Sequence, residues 1–271
     1  MSDNGYVVGS NLEKALKAGY FVATGELGPP QSADKHEIEH KAQYLKGIVE
    51  SVNITDNQTA VVRMSSISVA VMLMELVVEP NIQMTARDRN RIALQSDILG
   101  AASFDIHNML CLSGDHQSFG DCAQGQNVHD IDSMQLISTV KKMRDEGKFL
   151  GGDDIKRPPA MFVGAAANPF ADPYEIRVPR LAKKVKAGAE FIQTQAVYDL
   201  DNFSKFMEYA GQFRVKILAG IILLTSAPMA RFMNKNVAGV FVPDELIDKM
   251  AKAEDRTAAG IEIAANLIKQ L

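Results

Sequence analysis

Short apolar runs alternate with amphipathic stretches along almost the whole chain. The runs read as strands at 20–27 (YFVATGEL), 51–55 (SVNIT), 82–86 (IQMTA), 108–114 (NMLCLSG), 160–166 (AMFVGAA), 190–195 (EFIQTQ) and 215–221 (VKILAGI). Helical stripes lie between them. Leu94, Ile98 and Ala102 fall at i, i+4, i+8. Leu136, Val140 and Met143 fall at i, i+4, i+7, with Asp132 or Ser133 as N-cap. Val178, Leu181 and Val185 form a third stripe, and Gly188 stands where a C-cap belongs. The run SVAVMLMELVV (68–78) reads as a buried helix. Its methionines read as helix core. The last segment, from PDELIDKM onward, predicts one or two helices with Ile261, Ala264, Ile268 and Leu271 as the final apolar stripe.

Strand–helix alternation of this length implies a parallel sheet. Seven β units of roughly 30 residues each predict an α/β protein of the (β/α)8 TIM-barrel type, in a single domain over residues 1–271, with no eighth strand after the last helix. A doubly wound sheet is the alternative, but no G-x-G-x-x-G follows the first strand. An open barrel leaves its first and seventh strands with unpaired edges, so a further terminal segment or a partner chain is expected to close it. The one long polar, Gly/Pro-rich loop is EGKFLGGDDIKRPP (146–159).

Composition narrows the function classes. With 271 residues, 46% of them hydrophobic, the chain can bury a large core. A net charge of −4 without a basic run argues against a nucleic-acid groove. Two cysteines, Cys111 and Cys122, make no disulfide framework and suit a reducing cytoplasm. Cys111 reads as strand core and Cys122 as a loop thiol. The N-terminus lacks a signal-peptide pattern, and the longest apolar run is too short to span a bilayer.

HEIEH (36–40) spells the H-E-x-x-H zinc-hydrolase pattern. Ile38, Ala42 and Leu45 form a different face from His36 and His40, and no other histidine stands at a ligand spacing. A solvated surface helix is the better account. RDRNR (87–91) reads as the first turn of a helix capped by Asp88 with solvated arginines, a phosphate clamp being the other option.

In a barrel, functional groups gather at the C-terminal ends of strands. Here those positions carry Glu26; Thr55, Asp56 and Asn57; Gln83 and Thr85; Ser113 to Asp115; Asn168; and Gln193 to Gln195. Few carboxylates among many neutral hydrogen-bonding groups suit a large planar ligand better than a bare metal. Glu26, after an apolar strand and before two prolines, would be desolvated, which raises its pKa and fits it for general-acid work. It could equally cap a turn. Asp115 could be a turn aspartate, and Gln195 a buried amide satisfied by backbone.

GELGPP, VNITDN, QMTARDRNRIALQSDILGA, NMLCLSGD, KVKAGAEFIQTQAVYD and VAGVFVPDEL occur in that order from about residue 20 to the end. With these stretches the chain resembles the methylenetetrahydrofolate reductase family in its short, catalytic-barrel form. The resemblance implies flavin-dependent reduction of 5,10-methylenetetrahydrofolate to 5-methyltetrahydrofolate, in one-carbon metabolism and methionine biosynthesis. The flavin it implies is FAD, with FMN possible, at the C-terminal strand ends. By the same resemblance Glu26 matches the general acid, Asp115 the aspartate beside flavin and pterin, and Gln195 a folate-contacting glutamine. Thr55, Gln83, Ser113, Gly114, Asn168, Ala171 and Lys184 match flavin-contacting positions. Gln83, Ser113 and Asn168 stand where better-known members have histidine, arginine and histidine. In AGIILLTS (219–226) Leu223 or Leu224 stands near the usual proline and predicts a more apolar substrate wall. Lys184 could reach a flavin phosphate from its helix or be a plain exposed lysine. The electron donor implied is NAD(P)H or a partner electron-transfer subunit carrying zinc or iron–sulfur, and an oligomer is expected. A rival reading is a non-catalytic or electron-accepting flavoprotein subunit docked in a larger redox complex.

Overall fold

The computed structural model describes residues 7–170, 173–237 and 239–271. Each apolar run contains a strand, the first only over its second half, and the seven strands follow one another in chain order in the sheet. Every pair with a described register is parallel. This is the (β/α)8 topology carried through seven strands. Among the described residues β1 (Thr24–Leu27) pairs only with β2 (Ser51–Ile54). No helix among them is long and apolar enough to cross a membrane. The chain divides into two compact units, the first running to Ala165 and including Ala187–Glu190, the second comprising Ala166–Lys186 and Phe191–Leu271.

The first unit holds α1 (Asn11–Ala18), β1, α2 (His36–Gln43), β2, α3 (Ser66–Glu75), β3 (Pro80–Thr85), α4 (Arg91–Ser103), β4 (Asn108–Leu112), α5 (Ser133–Lys141) and most of β5 (Phe162–Ala167). Residues of β2 and β3 are buried on both faces. Outward ones such as Val52, Ile54 and Ile82 meet the helices, where Leu73, Leu94 and Ile98 are equally buried. The other face is polar. Register pairs Glu26 with Asn53, Asn53 with Asn81, and Asn81 with Asn108. Paired residues in neighbouring strands point to one face, so these four form a row.

Three of the row are buried and bonded. Asn81 Nδ2 donates to Asn53 Oδ1 (2.5 Å), and Asn108 Nδ2 donates to Glu79 Oε1 (3.0 Å). Helix α1 closes this end: Ser10 Oγ donates to Asn108 Oδ1 (2.7 Å), while Glu79 accepts from the Asn11 and Leu12 N–H groups. Glu13 is fully buried beside them. Burial alone would raise its pKa; Lys17 and the N–H groups of Val7, Val8 and Gly9 overcome that and hold it below the ordinary value.

The second unit holds α6 (Tyr174–Ala187), β6 (Phe191–Ala196), α7 (Leu200–Ala210), β7 (Lys216–Gly220), α8 (Ala227–Asn236), α9 (Asp244–Lys252) and α10 (Arg256–Gln270). Among the described residues β7 pairs only with β6. Its core joins Tyr198, Leu224, Val242, Met250, Ile263 and Leu267. One expectation is corrected here. The buried face of α10 is Gly260, Ile263 and Leu267, whereas Ile261, Ile268 and Leu271 are exposed. The reason is close backbone approach: a Cβ at Gly260 would lie 2.1 Å from the Leu224 carbonyl oxygen, so the glycine marks the contact line. Of the two leucines expected on a more apolar wall, Leu224 is 1% exposed and packs in this core, while Leu223 is exposed.

Candidate functional site

The polar ends of the first-unit strands come from the same face as the asparagine row. Glu26 is the third residue of the four in β1. Its side chain has an open path to solvent, yet desolvation by surrounding protein raises its pKa above the ordinary 4.5. The protein packed around it decides the direction, since a charge is solvated by the whole volume around it and not only by the surface it exposes. Burial is the sole cause; among the described residues no cation or hydrogen-bond donor offsets it.

One residue past β2 stands Thr55, 2% exposed, with a buried Oγ1 that has no hydrogen-bond partner among the described residues. An orphaned hydroxyl at that depth is costly and invites a ligand. Continuing the β2–β3 register puts Gln83 beside it, also buried. Asp56 follows, and its carboxylate is saturated. Oδ2 accepts from Thr85 N (2.8 Å), Thr85 Oγ1 (3.0 Å) and Arg89 Nη1 (2.6 Å); Oδ1 accepts from Arg89 Nη2 (3.2 Å).

Beyond β4, Ser113 Oγ accepts from the Ser133 N–H at the start of α5 (3.3 Å). Gly114 has φ +89°, and a Cβ there would lie 2.9 Å from Arg87 Cβ and 3.2 Å from Thr85 Cβ. Only glycine fits both the dihedral and the space. Asp115 is exposed, and its carbonyl accepts from Arg87 Nη1 (3.1 Å).

The RDRNR reading is corrected. The cap of α4 is Asn90, whose side chain accepts from the Ile92 and Ala93 N–H groups, and Asp88 caps nothing. Arg87 is 2% exposed, and Arg89 is largely buried against Asp56 and Asp97. Only Arg91 is a surface cation, paired with Asp130. The buried Asp56, the more exposed Asp88 and Asp97, and two backbone carbonyls hold the first two arginines inside, which composition alone does not reveal.

In the second unit Asn168, Lys184 and Gln195 line one cavity of about 130 Å³, with Arg177, Arg180, Leu181 and Phe206. Arg177, Arg180 and Lys184 follow an i, i+3, i+7 spacing on α6, a signal present in RVPRLAKKVK that the sequence reading passed over. Lys184 Nζ donates to the Ala166 carbonyl (2.5 Å). Asn168 packs against Gly239, where φ is +79° and a Cβ would meet the Asn168 amide nitrogen at 1.8 Å. Gln195 is exposed because β6 is irregular: the register with β7 shifts between Gln193 and Ala196. Such a bulge re-aims a side chain. Gln193 Oε1 is buried without a partner. Ala171 lies outside the described residues.

The HEIEH histidines lie on the surface of α2. His36 Nδ1 pairs with Glu39 (2.8 Å) and His40 meets Tyr44 edge-on, while Ile38 and Ala42 face the core. Cys111 is buried in β4 and Cys122 is exposed in the following loop.

Comparison with known proteins gives three findings. The methylenetetrahydrofolate reductase family model matches residues 11–271. Methylenetetrahydrofolate reductase 2 of Schizosaccharomyces pombe is 22% identical over 200 residues, which cover 70% of this chain and 31% of that protein. The chain thus spans less than a third of that curated relative. An uncharacterized protein from Clostridium thermocellum, which binds two copies of 5-methyl-5,6,7,8-tetrahydrofolic acid, superposes with a TM-score of 0.60 at 16% identity, over 96% of this chain and 85% of that one.

Proposed function

This chain belongs to the methylenetetrahydrofolate reductase family, and on that premise we propose that it reduces 5,10-methylenetetrahydrofolate to 5-methyltetrahydrofolate with a bound flavin, FAD in our reading. The observation that carries the proposal is Glu26: a solvent-reachable carboxyl at the C-terminal end of β1, whose pKa is raised by the protein packed around it with no counter-charge. In the reaction Glu26 donates its proton to a ring nitrogen of the methylene bridge. The bridge opens to an electrophilic iminium on the folate. The chemistry a bound flavin supplies is hydride transfer to that carbon.

The residues present fit such a group. The unpartnered Thr55 hydroxyl and the neighbouring Gln83 offer a donor–acceptor edge to a planar ring. Ser113 and Gly114 continue the first-unit set, and Asp115 is proposed to contact the ring and the pterin. In the second unit Asn168 and Lys184 are proposed for the flavin and Gln195 for the folate. The cationic wall of Arg177, Arg180 and Lys184 suits a phosphate. The electron donor in this reading is NAD(P)H or a partner electron-transfer subunit.

Extracting the protein with acid and recording the absorbance of the extract tests the cofactor. A stoichiometric flavin is expected, and Thr55→Val should lower the flavin bound by about two- to tenfold. A colourless protein that also takes up no added flavin contradicts the proposal.

Glu26 also ties stability to pH. Its folded pKa lies above its unfolded value, so its contribution is complete below the unfolded pKa and is lost as pH rises through the folded pKa. Glu26→Gln should therefore be more thermostable than the parent at neutral pH, with the difference in Tm closing as the pH falls toward 4.5. A difference of opposite sign would show that the carboxylate is stabilised in the fold.

A further inference from the structure

We infer that Arg87 is a positioning residue, whose buried guanidinium fixes the backbone at Asp115 and so aims the Asp115 carboxylate at the folate. The inference rests on the reading above for Asp115; the geometry stands on its own. Arg87 follows β3 by two residues and turns its side chain under the loop after β4. Nε and Nη2 hold Asp88 in a bidentate pair (2.8 and 2.6 Å). Nη1 donates to the Asp115 carbonyl (3.1 Å) and Nη2 to the Asn57 carbonyl (3.2 Å). The Arg87 carbonyl accepts from the Val128 N–H (2.7 Å). One residue therefore ties the loop after β2 and both ends of the loop after β4.

Asp115 has nothing comparable from its own side chain. It is exposed, and among the described residues its carboxylate accepts no hydrogen bond. Its direction follows its backbone, and that backbone follows Gly114, whose left-handed φ of +89° brings it close against Arg87 Cβ. A planar fork with several fixed donors can span two carbonyls and a carboxylate at once; a lysine ammonium cannot. The buried arginine is therefore the part of this loop that a conservative cation cannot replace.

Two readouts test this in the full chain. Without ligand, hydrogen–deuterium exchange over residues 115–128 should accelerate in Arg87→Lys. Affinity for 5-methyltetrahydrofolate should fall by about tenfold to a hundredfold in the same variant. In an Asp115→Ala background the further loss from Arg87→Lys should vanish, because Arg87 acts through Asp115. Should Arg87→Lys not fold, Asp88→Asn, which keeps the guanidinium and loosens its fork, takes its place and should shift both readouts in the same direction by a smaller factor. Unchanged exchange, or losses that add in the double variant, overturn the inference. Wild-type protein without affinity for methyltetrahydrofolate overturns the functional reading, and that is seen before any variant is made.

Discussion

Glu26→Gln should reduce folate turnover by about 10²- to 10⁴-fold while the protein keeps its flavin. Glutamine matches the shape of the acid but carries no transferable proton. The loss should fall on kcat, since binding a neutral amide in place of a protonated carboxyl changes the ground state little. The raised pKa gives a second signature. Wild-type activity should decline as pH rises and the carboxyl ionises, above the ordinary glutamate value of 4.5, and the variant's residual activity should lose that limb. Steady-state kinetics across pH, with flavin content measured on the same samples, check both. Turnover retained in the variant removes Glu26 from the mechanism.

Asp56→Ala should destabilise the protein by about 3–5 kcal/mol, since it removes the buried one of Arg89's two carboxylate partners, leaving the half-exposed Asp97, and strips the Thr85 N–H of its acceptor. The Asp56 side chain is 2% exposed and Arg89's is 16% exposed. Four hydrogen bonds converge on the carboxylate, two from Thr85 and two from Arg89. Removing it strands the end of β3 and the turn into α4 together. Urea or thermal unfolding reads the effect; at about 2–4 °C per kcal/mol, Tm should drop by roughly 6–20 °C. A drop within error of zero would mean that Arg89 finds another partner and that the turn does not depend on Asp56.

These two residues also mark what the sequence made legible. Glu26 could be placed because an apolar run followed by Gly-Pro-Pro marks a strand end, and strand ends are where a barrel keeps its chemistry. The seven strands emerged for the same reason: a parallel strand is apolar on its outer face whatever the inner face carries. Arg87 and Arg89 could not be placed this way. A charged triplet reads as surface until the carbonyls and carboxylates that receive it are known, and those come from loops 30 residues away in sequence. The α10 face was misread for a related reason. Counting large apolar residues favoured Ile261 and Ile268, but the helix approaches Leu224 through Gly260, and a glycine has no side chain to count. The asparagine row also escaped, because Asn53, Asn81 and Asn108 share a face only once strand register is fixed.

The most direct measurement is an anaerobic titration of the purified protein with 5-methyltetrahydrofolate, following the visible absorbance of its flavin. Wild type should bleach as the reaction runs in reverse, and Glu26→Gln, carrying the same flavin, should not. A flavin that stays fully oxidised in wild type under saturating methyltetrahydrofolate, or one that bleaches equally in the variant, would contradict the proposed reaction.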